Sequence, residues 1–235
     1  MQRPIPLSQN RLLDALPAGD YALVAPHLVQ IELERGRLLY DPGDAIEHVY
    51  FPHDGVISLM TLMHNGAAIE STTIGPEGAV GLMAVVSPRQ SLSRAIVQTP
   101  LRAARIGVDR LHEAWERSPV LRRLTDRHTE ALYGHAIQSV ACNALHSVEA
   151  RFCRWLLTCH DRISTDTVAL TQEFLADMLG VQRTTVTAVA RSLQAKGAIR
   201  YRRGIVDIVD RPALQAMTCE CYGVIRDTYT RLLGA

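Results

Sequence analysis

Between Met178 and Val206 there is not one Asp or Glu, although over the whole chain 24 acids nearly balance 25 Lys and Arg. Other absences narrow the reading further. No uninterrupted apolar run approaches the ~18 residues that a membrane span needs. The first ten residues, MQRPIPLSQN, lack the apolar centre of an export signal. The 5 cysteines are an odd number without the spacing of a small disulfide scaffold, so a reducing cytoplasm is the expected location. There is no nucleophile elbow, phosphate-binding loop, His-Glu-x-x-His or paired-carboxylate pattern, so no enzyme is expected. The Gly-rich GPEGAVG at 75–81 does not match a dinucleotide fingerprint, and no internal repeat or low-complexity tract occurs.

What remains is an ordinary globular composition, 47% hydrophobic and 21% charged, with room for one large domain or two small ones. Residues 11–29 read as helical. From Ile31 to Ile106, short apolar runs such as HVYF and GVISLMTLM alternate with Gly-containing turns at 35–36, 41–44, 53–55, 64–66 and 75–78. Regular short strands of this kind imply a barrel or jelly roll. Ser118 and Pro119 then cap and open a long helix. On it Leu121, Leu124, His128, Ala131, His135 and Cys142 share one narrow stripe, which suits a helix–helix contact better than a wide core face. Another helix starts at Ser147, and residues 211–235 read as one more amphipathic helix. Cys219 and Cys221 form Cys-x-Cys on that last helix, where residues two apart point away from each other. They are therefore read as buried structural cysteines, with redox sensing as the alternative. His128 and His135 are read as packing residues rather than haem or metal ligands, so neither metal nor cofactor is expected.

The acid-free stretch has its own grammar. Thr171 suits the cap of a helix QEFLADML. Counted from Gln172, the fifth place needs a small residue where two helices cross, and Ala176 is there. The ninth place is the turn, and Gly180 is there. Leu175, Leu179, Val181, Val186 and Val189 fill the inner places. Gln182, Arg183, Thr184, Thr187, Ala188 and Arg191 face outward. A second helix of this kind can lie in the DNA major groove, with Arg pairing guanine and Gln pairing adenine. The following AIRYRRGIVDIVD reads as a two-stranded hairpin with Arg202 and Arg203 at its tip, placed for phosphates. The candidate DNA-binding residues are thus Thr171, Gln182, Arg183, Thr184, Thr185, Thr187, Arg191, Arg202 and Arg203. A segregated positive face implies a polyanionic partner.

With GDAIEHVYFPHDGVISL in the first half and LTQEFLADMLGVQRTTVTAVARSLQAKGAI in the second, the chain resembles the CRP/FNR family of bacterial transcription regulators over roughly residues 20–210. The resemblance implies an α+β protein: a β-roll or jelly-roll sensor domain (1–117), a long dimerisation helix (118–146), and a winged helix-turn-helix with a helical extension (147–235). It implies a homodimer on duplex DNA, seamed by Leu121, Leu124, His128, Ala131 and His135, with RNA polymerase as a further partner. It places a small-molecule effector at Gly78, Gly81, Leu82, Ser93 and Arg94. Here the sequence departs from cyclic-AMP-responsive members. Ala79 stands where their ribose-binding Glu would be. Ser93 stands where their phosphate-binding Arg would be, with Arg94 one step away and so on the other strand face. Cyclic AMP is therefore not the expected effector. Oxygen-sensing relatives carry an N-terminal cysteine cluster, but the first cysteine here is Cys142. Thr184 and Ala188 replace a carboxylate and a base of the best-known recognition helix, so the operator is not transferable. A scaffold whose winged helix binds protein is the alternative function.

Overall fold

The computed structural model describes residues 9–233. It begins with helix α1 (Arg11–Asp14), capped by Asn10, whose side chain accepts from the Leu12 and Leu13 amides. The same Asn10 amide donates to the carbonyls of Pro52 and Gly78, so the cap also ties the N-terminal helix to the sheets. Helix α2 (Ala18–Val24) follows.

Seven strands then form two antiparallel sheets. One has the order β1 (Val29–Leu33), β7 (Leu101–Gly107), β3 (His48–Pro52). The other has the order β2 (Leu38–Tyr40), β6 (Arg94–Val97), β4 (Ile57–Leu62), β5 (Ala68–Ile74). Their inner faces bury Val49, Phe51, Ile57, Ile74, Val97, Ala104 and Ile106 in one core. This is the two-sheet roll that the alternating runs and turns imply.

Helix α3 (Val108–Arg117) leads into α4 (Pro119–Leu145), 27 residues long and so about 40 Å. Ser118 caps α4, its hydroxyl accepting from the Leu121 amide at 2.9 Å. The stripe read above as a dimer seam turns inward instead. Leu121, Leu124, His128, Ala131 and His135 are each at most 7% exposed within the single chain. They pack on the β-roll and on helix α9 (Cys221–Leu233). His128 Nε2 lies 3.0 Å from the Ala79 carbonyl, and the His135 ring meets Tyr229 edge-on at 6.1 Å. A seam of small and polar residues does indicate a close helix contact, but the partner belongs to the same chain.

Helix α5 (Val148–His160), capped by Ser147, opens the second core. Strand β8 (Thr167–Ala169), α6 (Gln172–Leu179), α7 (Arg183–Ala195), β9 (Ile199–Arg202), β10 (Ile205–Ile208) and α8 (Arg211–Met217) complete it, with sheet order β8-β10-β9. Phe152, Trp155, Leu175, Leu179, Val186, Leu193, Val206 and Leu214 are its buried centre. Residues 211–235 are not one helix: the chain breaks after Met217 and restarts at Cys221. Asp210 caps α8 with Pro212 in its first turn, whereas α9 leaves this unit and joins the first core through Ile225, Tyr229 and Leu233. Among the described residues, no helix is long and apolar enough to cross a membrane.

Candidate nucleic-acid interface

Gly180 makes the helix-helix turn possible. Its backbone lies at φ 62, ψ 41, the left-handed region that glycine enters without penalty, and its amide closes onto Ala176 and Asp177. A Cβ there would also meet Ile69 Cδ1 at 2.9 Å. Beyond the turn, α7 buries Val186, Ala190 and Leu193 on one side. Successive residues advance about 100° around a helix. Thr184, Ala188 and Arg191 therefore project from the opposite side with Thr187 at its edge, whereas Arg183 is exposed because it is the first residue of the helix. Gln182, Arg183, Thr184, Ala188 and Arg191 are exposed, while Thr185 and Thr187 are half-buried.

Local bonds set the starting posture of these side chains. Arg183 Nε donates to Gln172 Oε1 at 3.2 Å, which draws the guanidinium toward the N-terminus of α6. The Thr187 hydroxyl donates to the Arg183 carbonyl at 3.0 Å, and the Thr171 hydroxyl accepts from the Phe174 amide at 3.2 Å. Lys196 is engaged elsewhere: its ammonium lies 2.5 Å from Glu149 on α5, and the Lys196 and Ser192 hydrogen bonds hold that carboxyl below its usual range. Arg191, Arg200, Arg202 and Arg203 have no ion pair among the described residues. The wing ends in a two-residue loop, Arg203-Gly204, between the paired Arg202 and Ile205. Both loop residues have positive φ, 48° and 79°. That is the primed turn whose twist suits a hairpin, and it displays Arg202 and Arg203 to solvent.

The β-roll holds a cavity of about 340 Å³ against α4, lined in part by Tyr40, Leu59, Ala79, Ser91, Ser93 and His128. Of the five residues assigned to an effector, Gly81, Leu82 and Ser93 line it, whereas Gly78 and Arg94 do not. Arg94 points away into a two-pronged bond with Asp41, at 2.6 and 3.0 Å. That hydrogen bond holds the Asp41 carboxyl below its usual range. Gly78 lies under His128, where a Cβ would come within 2.6 Å of the ring. Burial pushes His128 toward its neutral form, and no Lys or Arg among the described residues lines the cavity.

The sequence reading missed one constellation. Cys142, His146, Cys219 and Cys221 converge at the end of α4, their four ligand atoms all within 4.8 Å of one another. The objection that Cys-x-Cys diverges on a helix fails because Cys219 precedes α9 and only Cys221 lies on it. The available signal was Cys142-x-x-x-His146, an i,i+4 pair at a helix end, read together with Cys219-x-Cys221. A hydrogen bond from the Cys142 thiol lowers the pKa of Cys219, and the same bond raises that of Cys142.

Comparison with known proteins yields two family matches. Residues 30–118 match the cyclic nucleotide-binding domain, and residues 150–217 match the Crp-like helix-turn-helix domain. Curated relatives include the global nitrogen regulator of Nostoc sp. (strain PCC 7120), 23% identical over 72% of this chain and 80% of that one. That of Synechocystis sp. (strain PCC 6803) is also 23% identical, over 88% of this chain and 96% of that one. Among solved structures, FixK2 from Bradyrhizobium japonicum superposes with a TM-score of 0.69 at 17% identity, covering 82% of this chain and 98% of that one. A putative CRP/FNR-family transcriptional regulator from Eubacterium rectale gives 0.68 at 16% identity, covering 89% and 98%.

Proposed function

Because a cyclic nucleotide-binding domain followed by a Crp-like helix-turn-helix makes this chain a member of the CRP/FNR family of transcription regulators, we propose that it works as a homodimer on an inverted-repeat operator, gated by a signal other than cyclic AMP. The observation that carries the DNA reading is the exposed face of α7 and the wing. It presents Gln182, Arg183, Thr184, Arg191, Arg202 and Arg203, within a run that contains no acid. Gln182 and Arg183 sit at the N-terminal end of α7, where a major-groove helix reaches base edges. Arg202 and Arg203 suit phosphates, which fix register without reading sequence.

The same reading moves the dimer seam to the other side of α4. Tyr133, Ile137 and Val140 are 68%, 53% and 71% exposed, and Glu130 and Ala144 continue their line. Their spacing of 3, 4, 3 and 4 is a heptad seam. Met83 and Val86 of the β-roll extend this apolar strip beside Tyr133. Two such helices paired about a twofold axis would present their α7 helices to successive major grooves about 34 Å apart.

The effector reading rests on the cavity. A cyclic monophosphate would find no cation beside its phosphate and Ala79 instead of a ribose acceptor, so a small ligand without a strong anionic charge suits the walls better. RNA polymerase is the further partner this role requires, and the cytoplasm is where it would act. Binding selection on random duplexes tests the placement of α7. Arg183→Ala should cost about 1–3 kcal/mol per half-site and relax preference at one base pair in each half of the inverted repeat. An unchanged selected sequence would refute it.

A further inference from the structure

We propose that Cys142, His146, Cys219 and Cys221 form a closed, four-coordinate zinc site that staples the end of α4 to the junction of α8 and α9. The geometry carries it. The Cys142 and Cys219 sulfurs are 3.6 Å apart, and Cys221 Sγ is 3.5 Å from His146 Nδ1. A tetrahedron with Zn–S bonds near 2.3 Å and Zn–N bonds near 2.0–2.1 Å has edges of about 3.8 Å between sulfurs and about 3.6 Å between sulfur and nitrogen. A cluster of several irons would hold its sulfur ligands farther apart. Oxidation of Cys142 and Cys219 to a disulfide would use two of the four groups and leave Cys221 and His146 without a role.

The surroundings fit the same assignment. His146 Nε2 lies 3.1 Å from Glu220 Oε2, so this nitrogen donates to the carboxylate and the Nδ1 lone pair is left to face the sulfurs. A carboxylate behind a ligating imidazole fixes the tautomer and raises its basicity. Gln138 Nε2 donates to Cys221 Sγ at 3.0 Å, which steadies a thiolate. Three thiolates on a divalent ion leave one net negative charge. The buried Arg151 and Arg154 lie within electrostatic reach of the thiols, and the Nε of each has no hydrogen-bond partner among the described residues. All three cysteines are buried and no ligand position is left to solvent, which marks a structural site.

The chain supplies these ligands from both sides of its most consequential joint. Cys142 and His146 end α4, one residue before the cap of α5. Cys219 and Cys221 flank the point where the chain leaves the winged unit and returns to α4.

The test uses the full chain, purified under reducing conditions without chelator. Elemental analysis should find one zinc per chain and no iron. The metal-free protein should take up one Co²⁺, giving intense visible bands and a near-ultraviolet sulfur-to-cobalt band. The double variant Cys219→Ser/Cys221→Ser should lose zinc, while Cys153→Ser, at a buried cysteine outside the cluster, should retain it. Cys221→His keeps a nitrogen ligand and so guards against simple misfolding. It should still bind Co²⁺, with the sulfur band reduced in step with one lost thiolate. A folded wild-type chain that takes up neither zinc nor cobalt, that holds iron instead, or whose double variant keeps its zinc would overturn the assignment.

Discussion

Arg203 has a backbone φ of 48°, the one non-glycine residue with positive φ among the described residues. A left-handed L-residue costs roughly 1–2 kcal/mol, so the turn that displays this cation carries strain that Asn or Gly would relieve. Strain of this sort clusters where a side chain is needed for function. Arg203→Gly should leave stability unchanged or raise it by up to ~1 kcal/mol in denaturant unfolding. It should weaken binding to every duplex alike, and the log–log salt slope of the dimer should become shallower by about 1.8, roughly 0.9 for each of the two copies. Loss of sequence preference without loss of general affinity would contradict the phosphate role. At this scale the sequence was most legible on the winged unit. Ala176, Gly180 and the α7 residues occupy the positions their spacing implied, because turn geometry and helix period are local constraints. The assignment of Arg94 to the effector site does not hold: one step along a strand reverses a side chain, and it bonds Asp41 instead of entering the cavity. The four metal-binding candidates were hidden because their convergence depends on a chain break at 218–220 that no local signal marked.

Helix α4 shows where periodicity stops informing. Its stripe of Leu121, Leu124, His128, Ala131 and His135 indicated a close contact but not with what. The last helix was the missing information: α9 returns from the winged unit and covers α4, a pairing between segments nearly a hundred residues apart. This leaves the line of Tyr133, Ile137 and Val140 exposed, and it is the line proposed above as the dimer seam. The two faces predict different failures. Ile137→Glu would set like charges against each other across the proposed seam while its own fold loses nothing. Sedimentation should show a folded monomer with near-wild-type circular dichroism and much weaker binding to the full inverted repeat. Leu124→Glu would instead put a carboxylate into the first core and lower stability by several kcal/mol. A dimeric Ile137→Glu would return the seam to another surface.

In the whole molecule the two cores are joined within one chain. Val56 and Met60 of the β-roll sit in the core of the winged unit, and Arg35 Nη1 donates to the Ala169 carbonyl at 2.9 Å. Arg162 links the units again, 2.5 Å from Glu77 and 2.6 Å from the Thr73 hydroxyl. This contact joins the unit that holds the cavity to the unit that holds α7, and one of its members is a buried carboxyl. That member is Glu70 on β5, a fully buried carboxyl accepting from Trp155 Nε1 at 3.1 Å and from the Ser58 hydroxyl. Burial raises its pKa, opposed by the Ser58 bond, by Arg154 and by the Trp155 bond. The folded state therefore holds a proton that the unfolded chain releases above its ordinary value of 4.5. The stability this gives is fully present below that value and is lost as pH rises through the folded pKa. His128 and His135 act with the opposite sign. Burial lowers both, so their contribution is present above 6.5 and is lost as pH falls. Comparing wild type with Glu70→Gln cancels the histidines, because both proteins contain them. Glutamine keeps the acceptor for Trp155 and offers an N–H to Ser58 without a charge to desolvate. Denaturant unfolding across this range should show the variant gaining on wild type as pH rises above 4.5. The slope should approach at most about 1.36 kcal/mol per pH unit and flatten beyond the folded pKa. A difference independent of pH would mean that Glu70 titrates alike in both states, and that the junction holds its charge without cost.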